Sequence, residues 1–170
     1  MPRCGAFTLS QAALEGVFRV TSLGGEGTPE LMSLGGFADL FHAYVYPHAP
    51  VSTRFWFSVA DLDNDGVVVK SDLEHFLMEQ CFILNSHLEQ QGEYQVFQLD
   101  NLLGQAVDMV GPGKMKGSVG DEKWTCAEVL SSRAGLVLFD VLFNYEVLLR
   151  YERQSSGSGG QPYVCCALTT

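Results

Sequence analysis

Asp61, Asp63 and Asp65 stand at alternate positions of the run Asp61-Leu62-Asp63-Asn64-Asp65-Gly66, which a glycine closes at its sixth place. Side-chain oxygens at the first, third and fifth places can converge on one hard divalent cation. The glycine permits the sharp turn that brings the next backbone carbonyl, that of Val67, round to the same ion. Val68, at the eighth place, is a branched apolar residue suited to a short strand bridge with a partner loop. Asp72 falls at the twelfth place, where such a loop asks for Glu, whose longer arm chelates through both oxygens. The chemistry is cation binding by oxygen, with calcium as the expected ion and Asp61, Asp63, Asp65, Val67 and Asp72 as the expected ligands. Asp72 is one methylene short, and Val69 at the ninth place offers no side-chain oxygen. The expected site is therefore weaker than a high-affinity calcium buffer and admits magnesium as a competitor.

Asp, Asn and Gly are also common turn formers, so an acidic surface turn is the ordinary alternative. The flanks argue against it. Phe55, Trp56 and Phe57 precede the loop, and Leu73, Phe76, Leu77, Cys81 and Leu84 follow it at helical spacing. Two helices with apolar faces around an acidic twelve-residue loop make an EF-hand, and a solvated turn would need neither face.

Two further helix-loop-helix units can be read, without the cation chemistry. The first has a helix near Gln11 to Val20, a loop around Leu23-Gly24-Gly25-Glu26-Gly27 without alternating acids, and a helix whose Phe37, Leu40, Phe41, Tyr44 and Val45 follow the spacing of one apolar stripe. Pro47 and Pro50 end it and turn the chain into the Phe55 helix. The third has a helix near Val96 to Val110, with Val96, Leu99, Leu103, Val107 and Val110 on one side. Asp108 could open a loop there, but Pro112, the glycines, and Lys123 near the closing place remove the oxygen ligands.

The expected fold is all-α, built of EF-hand-like helix-loop-helix units, one metal-competent and two degenerate. Residues 9–92 would form an EF-hand pair, its first hand degenerate and its second calcium-binding. Residues 93–154 would form a helical, degenerate EF-hand-like region, and the Ser/Gly-rich 155–170 a flexible tail. Leu136 to Leu149 is the most hydrophobic stretch; it contains Asp140, Asn144 and Glu146 and is too short to span a bilayer comfortably, so a buried helix is expected.

Composition narrows the class. With 170 residues, 46% hydrophobic and 18% charged, the chain is long enough to bury a substantial core. A net charge of -10 disfavours nucleic acid and anionic membrane as partners and suits a protein that attracts cations. Cys4, Cys81, Cys126, Cys165 and Cys166 are odd in number and lack metal-site spacing, which points to reduced thiols. With no apolar signal core after Met1, the expected location is cytoplasmic or nuclear. His42, His48, His75 and His87 are scattered. Glu74, His75 and Cys81 share one predicted helix, but no oriented base or pocket accompanies them, so no enzyme is expected.

Three ordered stretches carry a family resemblance. Phe55-Trp56-Phe57-Ser58-Val59-Ala60-Asp61-Leu62-Asp63-Asn64-Asp65-Gly66, continuing through Asp72-Leu73-Glu74-His75-Phe76 to Glu79-Gln80, resembles the B'' (B double-prime) regulatory subunits of protein phosphatase 2A. Asp108-Met109-Val110-Gly111-Pro112 resembles a second segment of that family. Leu138-Phe139-Asp140-Val141-Leu142-Phe143-Asn144, with Glu146, Leu149 and Glu152, resembles a third. The resemblance implies a helical regulatory subunit that docks on the phosphatase scaffold subunit, contacts the catalytic subunit, helps select phosphoprotein substrates and responds to calcium. The family normally has Glu where this chain has Asp72. It also carries an upstream region with another EF-hand that is not in this chain, which implies a fragment or a divergent subunit. A reading from a different class, a free-standing calcium sensor or buffer, needs only the loop and its two helices.

Overall fold

The computed structural model describes residues 9–22, 31–47, 49–92, 96–111, 122–132 and 135–157. Its elements in chain order are α1 (Gln11–Thr21), α2 (Leu34–Val45), α3 (Pro50–Ala60), β1 (Val67–Val69), α4 (Lys70–Gln91), α5 (Leu99–Val110), β2 (Lys123–Thr125), α6 (Cys126–Ser131), α7 (Gly135–Phe143) and α8 (Tyr145–Gly157). The fold is all-α, apart from one two-stranded antiparallel ribbon among the described residues. Local chemistry sets the helix ends. Ser10 and Ser33 hydroxyls accept from the Ala13 and Gly36 amides, Pro50 opens α3, and Thr125 and Glu128 form a reciprocal capping box at α6. Gly92 ends α4 in the left-handed conformation, at φ 73°.

The core gathers on α4. Leu73, Phe76, Leu77, Leu84 and Leu88 are buried along it, against Leu138, Leu142 and Phe143 of α7 and Leu148 of α8. Phe143 is the hub: its ring stands edge-on to Phe76 at 5.0 Å, stacks on Phe139 at 5.9 Å and lies 5.4 Å from Trp56. Burying each such ring stabilises the fold by roughly 1.5–3 kcal/mol. The Phe55 helix, the exit helix of the acidic loop and the hydrophobic 136–149 stretch are thus parts of one cluster.

Five expectations are revised. The strand partner of β1 is β2 of the third unit, with Val67 opposite Thr125, Val68 opposite Trp124 and Val69 opposite Lys123. The pairing expected within 9–92 therefore runs across residue 92 instead. The first unit closes on itself, through a Ser22–Met32 bridge and an amide of Ser33 that donates to the Thr21 carbonyl at 3.0 Å. Its loop at 23–30 lies outside the described residues, as does 112–121 of the third unit.

Of the α2 stripe only Leu40 packs against the core: Phe37 is 55% and Phe41 58% exposed, Tyr44 and Val45 are exposed too, and Gly36 and Ala43 make the buried face. Gly36 explains this. A Cβ there would stand 2.4 Å from the Thr21 Cβ, so α2 meets the end of α1 through a glycine, and Phe37 and Phe41 are left exposed.

The hydrophobic stretch is two helices, not one. The amide of Ser10 donates to the Phe143 carbonyl at 3.0 Å, and the Asn144 side chain accepts from the Glu146 and Val147 amides, so Asn144 starts α8 afresh.

Val96 precedes α5 and is exposed, because the Asn85 side chain holds the Phe97 backbone out of helical pairing by both its N–H and its C=O. Leu103 of the expected side is buried together with Leu102 and Ala106, while Leu99, Val107 and Val110 are half-buried against the same core. Finally, α8 runs on through Ser155 and Ser156 to Gly157, since an established helix extends at low cost per residue. Residues 158–170 lie outside the described residues. No helix among the described residues is long and apolar enough to cross a membrane.

Candidate metal centre

The last turn of α3 delivers Asp61 to the loop. Its amide donates to the Phe57 carbonyl at 2.9 Å, and the residue is 3% exposed. Both of its carboxylate oxygens are tied inward: Oδ1 accepts from the Asp65 amide at 3.2 Å and Oδ2 from the Gly66 amide at 2.9 Å. Asp63 Oδ1 accepts from the Asp65 amide at 3.3 Å, and Asp65 Oδ1 from the Val67 amide at 2.9 Å. The backbone turns through two left-handed residues, Asn64 at φ 57° and Gly66 at φ 85°. Asn tolerates that region through its short polar side chain and Gly through having none.

The result is a cluster in which one ligand atom from each of Asp61, Asp63 and Asp65 lies within 4.8 Å of the others. Carboxylates at that spacing repel by about 1 kcal/mol per pair in water. A divalent cation reverses the sign of that interaction. Asp63 and Asp65 are open to solvent, while Asp61 sits at the floor.

The remaining two expected ligands stand differently. Val67 is in β1, with its amide taken up by Asp65. Asp72 is buried but is not one of the three clustered groups; its Oδ2 accepts from the Val69 amide at 2.9 Å, capping α4. Burial pushes its carboxyl above the usual range, the Val69 hydrogen bond draws it back, and the charges of Asp63, Asp61 and Asp65 push it up again. Asp72 therefore feels the cluster electrostatically without joining it. The shorter arm reaches the helix cap one turn away.

The ribbon fixes the outer wall. Val68 is buried opposite Trp124, whose ring N–H donates to the Gly111 carbonyl at 3.0 Å. Lys123 stands opposite Val69 in the ribbon register.

Elsewhere, Cys81 is half-buried with its thiol 3.3 Å from the Phe97 carbonyl, and burial pushes that thiol up, away from the nucleophilic thiolate. His75 and Glu74 are exposed on the opposite side of α4 from the buried leucines. These geometries describe a structural thiol and a solvated face.

Two side chains bond α1 to the helices that flank the loop. Glu79 accepts from the Gln11 and Ala12 amides at 2.7 and 2.8 Å, and Arg19 donates to the Ser58 and Val59 carbonyls at 3.3 and 2.9 Å. No spacing rule links residues 67 or 40 positions apart. Only the Glu79-Gln80 pair at the end of the first family-like stretch marked the place.

Fold and loop together define a helical protein of EF-hand-like units with, among the described residues, one acidic loop whose carboxylates could hold a metal ion. Its curated relatives are B'' regulatory subunits of protein phosphatase 2A. The alpha and beta forms of the human B'' regulatory subunit of serine/threonine-protein phosphatase 2A are each 31% identical over 105 residues, 62% of this chain but 8% and 16% of their own lengths. A probable B''epsilon regulatory subunit of Arabidopsis thaliana is 26% identical over 101 residues. Among solved structures, a chain of a PP2A PR70 holoenzyme, described as diCa, matches 87% of this chain and 50% of its own, with a TM-score of 0.64 and 26% identity. No family model matches the sequence. The resemblance read from the three stretches therefore stands. The chain spans less than a fifth of each human relative and about half of the PR70 chain.

Proposed function

We propose that this chain is a calcium-binding regulatory module of B'' type, which joins the scaffold and catalytic subunits of protein phosphatase 2A and modulates their dephosphorylation of phosphoserine and phosphothreonine proteins. The observation that carries the reading is the match of most of the chain to one chain of a PP2A PR70 holoenzyme, together with the acidic loop. Asp61, Asp63 and Asp65 would supply carboxylate oxygens, Val67 its carbonyl, and Asp72 an outer or single-oxygen contact. With so few oxygens calcium is bound less tightly than in a full hand, and magnesium, which prefers six ligands and keeps its waters, competes. The bound ion supplies charge that holds the loop together. The chain itself supplies docking surface and no catalytic group.

The second and third units form the functional pair in this reading, and the protein works in the cytosol or nucleus. Capture on immobilised chain, with purified scaffold and catalytic subunits and calcium present, is expected to retain both; chelation or Asp61→Ala should weaken retention. Failure to retain either subunit with calcium present would remove the phosphatase assignment. The free-standing calcium sensor or buffer would then remain, favoured by the fact that α3, the loop and α4 lie complete within this chain.

A further inference from the structure

We propose that Glu79 and Arg19 are positioning residues for the metal loop, which strap α1 across the two helices that hold it. The inference rests on reading the loop as a cation site and adds a control on that site from outside the loop.

Both ends of α1 are bonded to the hand. At its start, the Glu79 carboxylate from α4 takes two of the amides that no helix can satisfy by itself, those of Gln11 and Ala12, beside the Ser10 cap on Ala13. Near its end, the Arg19 guanidinium takes the Ser58 and Val59 carbonyls in the last turn of α3, immediately before Asp61. The charges match the helix ends they meet: a carboxylate at the positive end of α1 and a guanidinium at the negative end of α3. Between them Gly16 lets the helices touch, since a Cβ there would stand 2.8 Å from Val59 Cγ1.

The two bonds reach the loop from opposite sides. Arg19 fixes the turn that hands over Asp61. Glu79 lies seven residues beyond Asp72 on the continuous helix α4, about two turns at 3.6 residues per turn. Any change in the angle between α3 and α4 that spread the carboxylates would have to break one of these contacts. The strap thereby holds the loop in the gathered geometry that a cation needs, and a cation in the loop in turn holds the strap.

That reciprocity is measurable on the full chain. Glu79→Gln keeps the side-chain length but loses the charge and one acceptor; Arg19→Gln acts at the other end on an exposed residue. Without cation, either variant is expected to speed amide exchange about tenfold at Asp65, Gly66 and Val69 in the loop, as well as near its own bond. By calorimetry the variants should bind calcium about five- to tenfold more weakly. Calcium should slow exchange at Gln11 and Ala12 of the unmodified chain by a matching factor. If Glu79→Gln, with helicity retained, speeds exchange at Gln11 and Ala12 only and leaves loop amides and calcium affinity unchanged, the carboxylate is a local cap and the strap is wrong. Should Glu79→Gln fail to fold, Arg19→Gln decides by the same criteria. If the unmodified chain takes up no calcium, the cation reading falls, and the cation-free loop exchange alone decides the strap.

Discussion

Asp61 and Asp72 show how one loop can hold carboxylates in different roles. Asp61 is buried, doubly bonded to backbone amides and central to the cluster; Asp72 is buried, bonded to Val69 and outside it. Asp61→Ala or Asp65→Ala is expected to abolish calcium uptake in calorimetry while far-ultraviolet dichroism keeps most of its helical signal, and the stoichiometry of the unmodified chain should be one ion. Asp72→Glu is expected to act in the other direction. The added methylene lets the carboxylate reach the ion with both oxygens, and calcium affinity should rise by about tenfold or more. An unchanged affinity would show that the twelfth position does not contact the ion.

At the scale of elements, two glycines in helices make opposite predictions. Gly36 lies where α2 crosses the end of α1, with backbone of Thr21 within 2.9 Å of the Cβ that Ala would add, whereas Gly104 in α5 has open space around it. Gly36→Ala is expected to cost about 1–3 kcal/mol in urea unfolding, by forcing the helices apart. Gly104→Ala should add about 0.5–1 kcal/mol by lowering the backbone entropy lost on folding. The same crossing explains α2's exposed aromatic face, with the Phe37 and Phe41 rings 6.3 Å apart. Phe41→Lys is accordingly expected to leave the unfolding midpoint nearly unchanged, although it alters one of the largest side chains of the helix.

For the molecule as a whole, acidity and burial set a pH dependence. Burial raises the Asp72 carboxyl, against the Val69 hydrogen bond, and it raises Glu152, against the hydrogen bond from Gln105. Just above their ordinary values of 3.8 and 4.5 the folded chain then holds protons that the unfolded chain has released. Stability therefore falls as pH rises through that window. The cation-free protein is expected to show a higher urea midpoint at about pH 5 than at pH 7, and Glu152→Gln should raise the neutral midpoint and flatten the profile. Calcium should reverse the Asp72 share, since a nearby cation favours its charged form. Phe143 tests the single core: Phe143→Ala is expected to cost about 3–5 kcal/mol and to lower the midpoint of the whole chain in one transition, because its ring joins α3, α4 and α7.

The acidic loop, the helical class and the family likeness are each legible in residues close together in the chain: three aspartates and a glycine at fixed spacing, apolar residues at helical period, and short ordered stretches. The remaining features involve residues that meet across long separations. Which loop pairs with β1, which face of α2 is buried and what bonds the ends of α1 depend on how helices cross, and a crossing is set by the smallest side chains at the contact. Gly36 turned α2's aromatics outward, Trp124 brought the third unit to Val68, and Glu79 and Arg19 tied α1 to both helices of the hand. No local period records such contacts, since packing rewards shape and bonding partners in space rather than order along the chain.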